Sequence, residues 1–244
     1  MAARKTAEKF KLIRLERDEF LPCLQAAFAD FVSLSCQIRP MLLIGLPGGH
    51  SLDGFYEGLG KRIPLRQRRH LFFFAVDERI VGAKDRENNG HKLQKLLCDA
   101  KLANPKQVLR LDTSVEKKGA LAWAQEIDSY GTLLSSLAPD GADLLVFGVG
   151  EDGHIASLFP KRKELEEKGE RWLEVAGAPK PPASRVSISP QQIRKAKEVW
   201  LVFRGKEKQK ALEKFLDSRA SAHDCPAKLV LDGKHAVRVW TDLK

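Results

Sequence analysis

The residues best suited to catalysis lie in a glycine-rich stretch in the second half of the chain, where Asp152 and His154 are surrounded by three glycines. Histidine ionises near neutral pH, so its imidazole can take a proton from water at pH 7. The stretch directly follows the apolar run 143–149, which predicts a buried strand ending beside the histidine. We predict that His154 is a catalytic base oriented by Asp152, against the alternatives of a turn histidine and a plain Asp-Gly turn.

A second glycine-containing segment, formed by Gly48, Gly49, His50 and Ser51, also follows an apolar run. Glycines let a ligand approach the backbone closely, and the free N–H groups at a helix start attract anions. The spacing is not that of the dinucleotide-binding fingerprint. The segment is predicted to cradle a phosphate or an oxyanion, with an ordinary strand-to-helix turn capped by Ser51 as the alternative.

Polar residues also follow the next apolar run, where Asp77, Glu78 and Arg79 are adjacent. Three neighbouring charges at a strand end need solvent or a ligand, and the planar guanidinium of Arg79 suits phosphate or carboxylate. Asn88 stands at the start of the next predicted helix, where it is either a substrate ligand or a helix cap, and Asn89 competes with it for the ligand role. An ion pair within the loop is the alternative for Arg79.

Two further cations flank a rigid bend, since Lys180 and Arg185 lie on either side of the Pro181-Pro182 pair. An anion clamp and a solvated basic loop are the two interpretations of this segment. Lys208, near the start of a later helix, is a weaker candidate for substrate binding.

The elements that must position these residues are predicted from apolar runs separated by amphipathic segments. Continuous apolar strands between helices are typical of a parallel sheet covered on both faces, and such sheets bind ligands beyond the carboxyl ends of their strands. Each candidate segment follows a strand or a helix start at such an end. Strands are predicted at 10–15, 41–46, 71–76, 108–111, 143–149, 172–176, 185–189, 199–203 and 237–240, and helices at 20–31, 51–59, 89–100 and 123–137 and from residues 190 and 206.

The net charge of +10, from 42 Lys and Arg against 32 Asp and Glu, predicts a protein that attracts anions. Nucleic acid is one such anion. The basic residues are dispersed, however, and no aromatic residues alternate with them in a base-stacking pattern. The charge therefore favours a solvated surface or the attraction of a phosphorylated metabolite over nucleic-acid binding.

Cysteine spacing and hydropathy indicate the cellular compartment of the protein. The four cysteines form no Cys-x-x-Cys pair, so neither a disulfide framework nor a zinc ribbon is expected. The apolar runs are shorter than the roughly 18 residues that a membrane span needs. The basic N-terminal segment lacks the apolar stretch of a secretory signal, so a cytoplasmic protein is expected.

Taken together, the segments resemble the 6-phosphogluconolactonase family, a branch of the group that includes glucosamine-6-phosphate deaminases, over about residues 42–240. Residues 148–160, Gly-Val-Gly-Glu-Asp-Gly-His-Ile-Ala-Ser-Leu-Phe-Pro, look like its most specific signature. The segment 48–51 resembles the substrate loop of the family, 75–79 its Asp-Glu-Arg strand end, and 180–185 its Lys-Pro-Pro-x-x-Arg segment. Asn88 falls near its Ser-Asn motif.

This resemblance implies a single domain over residues 1–244 with a three-layer αβα sandwich around a mainly parallel, Rossmann-like sheet, as in related deaminases, ribose-5-phosphate isomerases and CoA-transferases. It implies hydrolysis of 6-phospho-D-glucono-1,5-lactone to 6-phosphogluconate in the oxidative pentose phosphate pathway, with His154 activating water. No metal or organic cofactor is expected, because such cleavage needs only a base and a charge-stabilising pocket. The sugar phosphate lactone is the expected partner of a monomer.

Two alternatives remain. A glucosamine-6-phosphate deaminase shares the Asp-Gly-His-Ile-Ala core, but deaminases continue with Phe-Asn-Glu where this chain has Ser157, Leu158 and Phe159, and carry Tyr in place of Arg79. A sugar-phosphate or nucleic-acid binding protein without catalysis is the second alternative, and the intact Asp152 and His154 speak against it.

Overall fold

The computed structural model describes residues 9–49 and 52–244 of the chain. In this part the secondary structure alternates between strands and helices, as the apolar pattern predicts. The strands are β1 (Lys11–Arg14), β2 (Leu42–Leu46), β3 (Leu71–Ala75), β4 (Asp77–Arg79), β5 (Val108–Leu109), β6 (Leu144–Gly148), β7 (Leu173–Val175), β8 (Arg185–Ser187), β9 (Glu198–Phe203) and β10 (Ala236–Thr241). The α-helices are α1 (Arg17–Ile38), α2 (Leu59–Arg62), α3 (Leu65–Arg68), α4 (Asn89–Asp99), α5 (Ala120–Leu137), α6 (Pro190–Lys195) and α7 (Gln209–Leu216).

Seven strands form one sheet in the order β1-β10-β9-β6-β2-β3-β5, and each neighbouring pair is parallel. The central strands β2 and β6 are almost wholly buried. Burial on both faces is the reason that these strands read as unbroken apolar runs in the sequence. The predicted parallel sheet is confirmed.

Successive side chains of the sheet enter two different hydrophobic clusters. Leu42 and Ile44 of β2 pack with α1, α2 and α4, whereas Leu43 packs on the opposite face with α5, α6 and α7. This alternation follows from the period of two along a strand. Helices therefore cover both faces, which confirms the three-layer sandwich, while the extent of the single domain over 1–244 stays a prediction.

Helix α1 supplies the largest apolar face of one outer layer. Phe20, Leu24 and Phe28 are completely buried against the sheet. The helix is long and apolar enough to meet the length and composition criteria for a membrane span. Phe31 and Val32 lie in the hydrophobic core with those three residues, whereas Leu34 and Ile38 are exposed, so the helix has one buried face, as expected of an amphipathic helix.

Three strands differ from the prediction, because they form a separate antiparallel sheet in the order β4-β8-β7 instead of extending the parallel one. Asp77 pairs with Ser187 and Arg79 with Arg185. In β7 the exposed Glu174 stands between two buried residues, which is the one-sided pattern typical of antiparallel strands. The polar Asp77–Arg79 segment is thus a strand of its own and not the end of β3.

The predicted helix over residues 51–59 also differs. Its first residue lies outside the described part of the chain, and residues 53–58 form turns and bends before α2 begins at Leu59. Gly54 and Gly58 have φ angles of 82° and 77°, in the left-handed region that glycine enters without steric cost. Two such residues four positions apart interrupt a right-handed helix.

Candidate active site

A cleft of about 930 Å³ opens at the carboxyl ends of the parallel strands. Gly49 lies after β2, His154 after β6, Lys208 after β9 and Leu243 after β10, and all four line it. Parallel sheets place ligands at this edge, because the loops that leave neighbouring strands converge there. The cleft is therefore the candidate active site.

His154 and Asp152 form a hydrogen-bonded pair within this cleft. Nδ1 of His154 lies 2.6 Å from Oδ1 of Asp152, which also accepts the backbone N–H of His154 at 3.1 Å. Burial acts to raise the pKa of Asp152, but the hydrogen bond and charge of His154 outweigh it and lower that pKa to about 2. An ionised carboxylate on Nδ1 leaves Nε2 as the nitrogen free to accept a proton.

Two glycines of the loop are required by the position of the imidazole. A Cβ atom added to Gly150 would lie 2.0 Å from Nδ1 of His154, so the ring rests directly on the backbone of that residue. Gly153 has a φ angle of 90°, and its added Cβ would lie 2.8 Å from Sγ of Cys225. These contacts explain why the histidine stands in a glycine-rich stretch.

Replacing Gly150 by alanine tests this arrangement. The added methyl group must displace the imidazole of His154, so we expect kcat to fall about tenfold or more while the fold is kept, since misplacement by about 1 Å can cost a hundredfold. Gly82→Ala is the matched control, because an added Cβ there meets no atom within 4 Å. Steady-state kinetics and thermal unfolding of both variants provide the check, and an unchanged kcat in Gly150→Ala contradicts the proposed position of the ring.

Arg185 is the most buried cation of the cleft, with 6% of its surface exposed. Its Nε and Nη2 donate to the carbonyls of Pro182 at 3.1 Å and Lys180 at 2.9 Å, and Nη1 lies 3.8 Å from the carboxylate of Asp77. Burial lowers the pKa of Arg185, an effect that Asp77 opposes and Arg79 reinforces. Two hydrogen bonds to the segment 180–182 fix the guanidinium plane at the wall of the cleft.

Arg79 and Lys180 add positive charge to the same wall. Arg79 forms an ion pair with Glu87, and its Nε atom is buried without a hydrogen-bond partner in the described residues. A buried donor without a partner costs free energy that a bound acceptor recovers. Lys180 lies 3.3 Å from Glu151 and is largely exposed, so its chain is free to move toward a ligand.

A second group of cations lines the cleft after β9. Lys208 is mostly buried and lies 4.0 Å from Glu207. Arg204 donates from Nη1 to the carbonyl of Asp53 at 2.7 Å, which connects the end of β9 to the turns that follow β2. Both basic groups face the same cleft, which therefore suits an anionic ligand.

The roles of the two asparagines differ from the prediction that placed Asn88 first as a substrate ligand. Asn88 is fully buried and caps α4, since its side chain accepts the N–H of His91 and donates to Thr113 at 3.1 Å. Asn89 instead lines the cleft and donates to the carboxylate of Asp77 at 3.1 Å. The cap therefore uses Asn88, and the proposal for a substrate ligand passes to Asn89.

Of the glycine segment, Gly49 lines the cleft, whereas His50 and Ser51 lie outside the described residues. Gly48 packs against α4, because its added Cβ would lie 2.1 Å from Oδ1 of Asn89. Its carbonyl accepts Nζ of Lys92 at 2.9 Å. The close approach of loop and helix is the local reason for glycine at position 48.

Sequence reasoning missed a buried polar network around Asp77. Oγ of Ser157 donates to Asp77 at 2.6 Å, and the backbone N–H of Ser157 donates to Oγ of Ser187 at 3.2 Å. These bonds connect the His154 loop with the antiparallel sheet. The acid at a strand end and the serine inside the signature were visible in the sequence, but their pairing depends on the tertiary fold.

Glu78 stabilises the N-terminus of α4, the helix that carries Asn89. Its carboxylate accepts the backbone N–H groups of Asn89 at 2.6 Å and Gly90 at 2.7 Å. Burial raises the pKa of Glu78 to about 7, against the lowering effect of its backbone hydrogen bonds. An acid at a helix start favourably meets the positive end of the helix dipole.

The residues of this cleft can carry out proton transfer close to several positively charged side chains. A search of the described residues finds no group of three His, Cys, Asp or Glu side chains placed to hold a metal ion. The imidazole of His154 provides a base, and Arg79, Lys180, Arg185 and Lys208 provide positive charge. This combination suits attack by water on an anionic substrate.

Comparison with known proteins shows the family of this chain. The model of the family described as glucosamine-6-phosphate isomerases/6-phosphogluconolactonase matches residues 16–240. The chain is 33% identical to 6-phosphogluconolactonase of Borreliella burgdorferi, over 91% of this chain and 92% of that protein. It is 36% identical to 6-phosphogluconolactonase of Streptomyces coelicolor over 68% of this chain and 67% of that protein.

A solved structure, that of 6-phosphogluconolactonase from Thermotoga maritima, superposes with a TM-score of 0.80 at 22% identity, covering 95% of this chain and 99% of that one. This likeness supports the three-layer fold. With the family match over most of its length and the relative that is 33% identical, the chain belongs to the glucosamine-6-phosphate isomerase/6-phosphogluconolactonase family.

Proposed function

We propose that this protein hydrolyses 6-phospho-D-glucono-1,5-lactone to 6-phosphogluconate, the lactonase step of the oxidative pentose phosphate pathway. The observation that carries the proposal is the 2.6 Å contact between His154 and Asp152 in a cleft lined by cations. The similarity to proteins named 6-phosphogluconolactonase supports the choice of substrate.

In the proposed mechanism, Nε2 of His154 takes a proton from a water molecule as the water oxygen attacks C1 of the lactone. The tetrahedral intermediate then collapses, the bond between C1 and the ring oxygen breaks, and the ring oxygen recovers the proton from the imidazolium. Asp152 holds the ring through Nδ1 and stabilises the imidazolium. The carboxylic acid formed at C1 releases its proton to solvent, and the product leaves as a carboxylate.

The positive groups have two tasks in this mechanism. Lys180 and Arg185 hold the phosphate, with Lys208 as a further ligand from the opposite loop. The oxyanion that forms on the carbonyl oxygen needs a donor in place before the reaction, because such preorganised charge is usually the largest catalytic term. The backbone N–H of Gly49 and the unpartnered Nε of Arg79 are the two candidates for that donor.

The test is a coupled assay in which the lactone is generated enzymatically and 6-phosphogluconate dehydrogenase reports the product. We expect product formation well above the spontaneous hydrolysis measured without the protein. Absence of any acceleration overturns the proposal. Release of ammonia from glucosamine 6-phosphate identifies a deaminase, and salt-sensitive retention of nucleic acid on filters without lactonase activity identifies a binding protein.

The remaining expectations concern the state of the protein in the cell. All four cysteines are free thiols, and one of them, Cys225, is buried. Free thiols are typical of a reducing compartment, which supports a cytoplasmic location. We keep the monomer as the proposed state, and size-exclusion chromatography with light scattering tests it.

A further inference from the structure

Phe159 joins the proposed base to the most buried cation of the site. Its ring is 3% exposed and lines the cleft. The ring centroid lies 4.7 Å from that of His154, with 45° between the planes. The guanidinium carbon of Arg185 lies 5.8 Å from the same centroid. One phenyl ring thus contacts both groups, although His154 lies on the loop after β6 of the parallel sheet and Arg185 lies in strand β8 of the antiparallel sheet.

The two contacts have different electrostatics. An aromatic face is electron-rich and attracts a cation within about 6 Å of its centroid, more strongly when the cation is desolvated. Arg185 carries its charge permanently, so its contact with the ring is present throughout the reaction. His154 becomes a cation only when it has taken the proton from water. The interaction with His154 therefore strengthens during the chemical step, which is the condition for raising kcat.

We propose that Phe159 is a positioning residue whose aromatic face stabilises the imidazolium that forms on His154 and holds the Arg185 guanidinium in place. This inference rests on the proposed lactonase mechanism and adds to it a role for the phenylalanine of the signature. It explains why an aromatic ring, and not merely an apolar side chain, stands two residues after Ser157 in the chain.

Other charges also act on His154 and must stay constant in the comparison. Asp152 contacts the ring directly, and further charged groups line the cleft from the segments after β1, β2, β6, β7, β9 and β10 and from strands β4 and β8. The charged residues that line the same cleft are Glu16, Arg17, Asp53, Asp77, Arg79, Glu151, Lys180, Arg185, Arg204, Lys206, Glu207, Lys208 and Asp242. Substitutions at Phe159 change none of these charges, and movement of Arg185 away from His154 would shift the acid limb to higher pH, so a shift to lower pH reports the ring.

The experiment compares non-aromatic with aromatic replacements. Phe159→Leu and Phe159→Met keep an apolar side chain but remove the aromatic face, whereas Phe159→Trp keeps it. Phe215→Leu is the matched control, because Phe215 is a phenylalanine of similar burial, 2% exposed, that packs against Phe10 and Phe203 in the core. Thermal unfolding of each variant establishes that it is folded before its kinetics are measured.

The expected result has two parts. In Phe159→Leu and Phe159→Met, kcat falls about two- to thirtyfold, which is the range of a lost cation–π contact. The acid limb of the kcat/KM profile moves to lower pH, because the protonated form of the base has lost a favourable contact. KM rises as Arg185 loosens. In Phe159→Trp and Phe215→Leu, the acid limb of the kcat/KM profile stays at the wild-type pH.

A ring that only fills space gives a different pattern. In that case the acid limb stays in place in every folded variant, or it moves equally in Phe159→Trp and Phe159→Leu, and either outcome overturns the proposal. An NMR titration of the His154 ring in the free protein provides the same comparison without substrate. It therefore tests the contact even if the wild-type protein fails to hydrolyse the lactone, so the two failures are distinguishable.

Discussion

His154→Ala is expected to lose at least about a hundredfold in kcat, after spontaneous lactone hydrolysis has been subtracted, while KM changes little. A positioned general base typically contributes about 10²- to 10⁴-fold, and the structure offers a well-supported one. The ring rests on Gly150, bonds to Asp152 through Nδ1 and contacts Phe159, so only its remaining nitrogen is left for water.

Kinetics of the coupled assay, with the lactone generated in place, provide the measurement. His223→Ala is the matched control, because His223 is about half exposed and lies 3.4 Å from Glu166, outside the lining of the cleft. It is expected to retain wild-type kinetics. Near-normal turnover by His154→Ala removes the histidine from the mechanism and leaves the function to be assigned to another base.

Arg185→Ala is expected to raise KM by at least about thirtyfold, with a smaller effect on kcat. Loss of one partner of a buried, hydrogen-bonded charge pair typically costs about 2–5 kcal/mol of binding free energy, and the substrate phosphate is the proposed partner. The side chain is held by the carbonyls of Lys180 and Pro182 before any ligand arrives, so binding needs little further ordering.

Arg219→Ala is the control for this variant, since the Arg219 side chain is 90% exposed and pairs only with Asp217 among the described residues. Inhibition by inorganic phosphate adds an independent readout, because the Arg185 variant is expected to bind phosphate more weakly. A KM equal to that of the wild type, with unchanged phosphate inhibition, excludes Arg185 from the phosphate site.

Much of the central sheet was predictable because each of its strands leaves a simple pattern. The runs at β2, β3, β6 and β9 are apolar without interruption, and burial on both faces accounts for them. The antiparallel sheet was not predictable in the same way. Its strands are three residues long, and β4 pairs with β8 across more than 100 residues of chain, as Asp77 does with Ser187.

In the candidate site, too, some contacts were predictable from the sequence and others were not. Asp152 and His154 were predictable, because their contact is local and the loop that forms it is marked by glycines. The choice between Asn88 and Asn89 was not, since both stand at a helix start and only tertiary packing shows which one serves as the cap. The contact of Phe159 with Arg185 is also tertiary, and a single sequence holds no local pattern for it.

The pairing of Arg79 with Arg185 on adjacent strands of the small sheet has an energetic consequence. Residues directly opposite each other in an antiparallel pair point to the same face, so two like charges are held side by side at one wall of the cleft. Their mutual repulsion lowers the stability of the folded protein, and the carboxylates of Asp77 and Glu87 offset part of this effect. An anion bound at this wall, such as the phosphate that Arg185 is proposed to hold, is expected to relieve that repulsion, so substrate and product are each expected to stabilise the native fold.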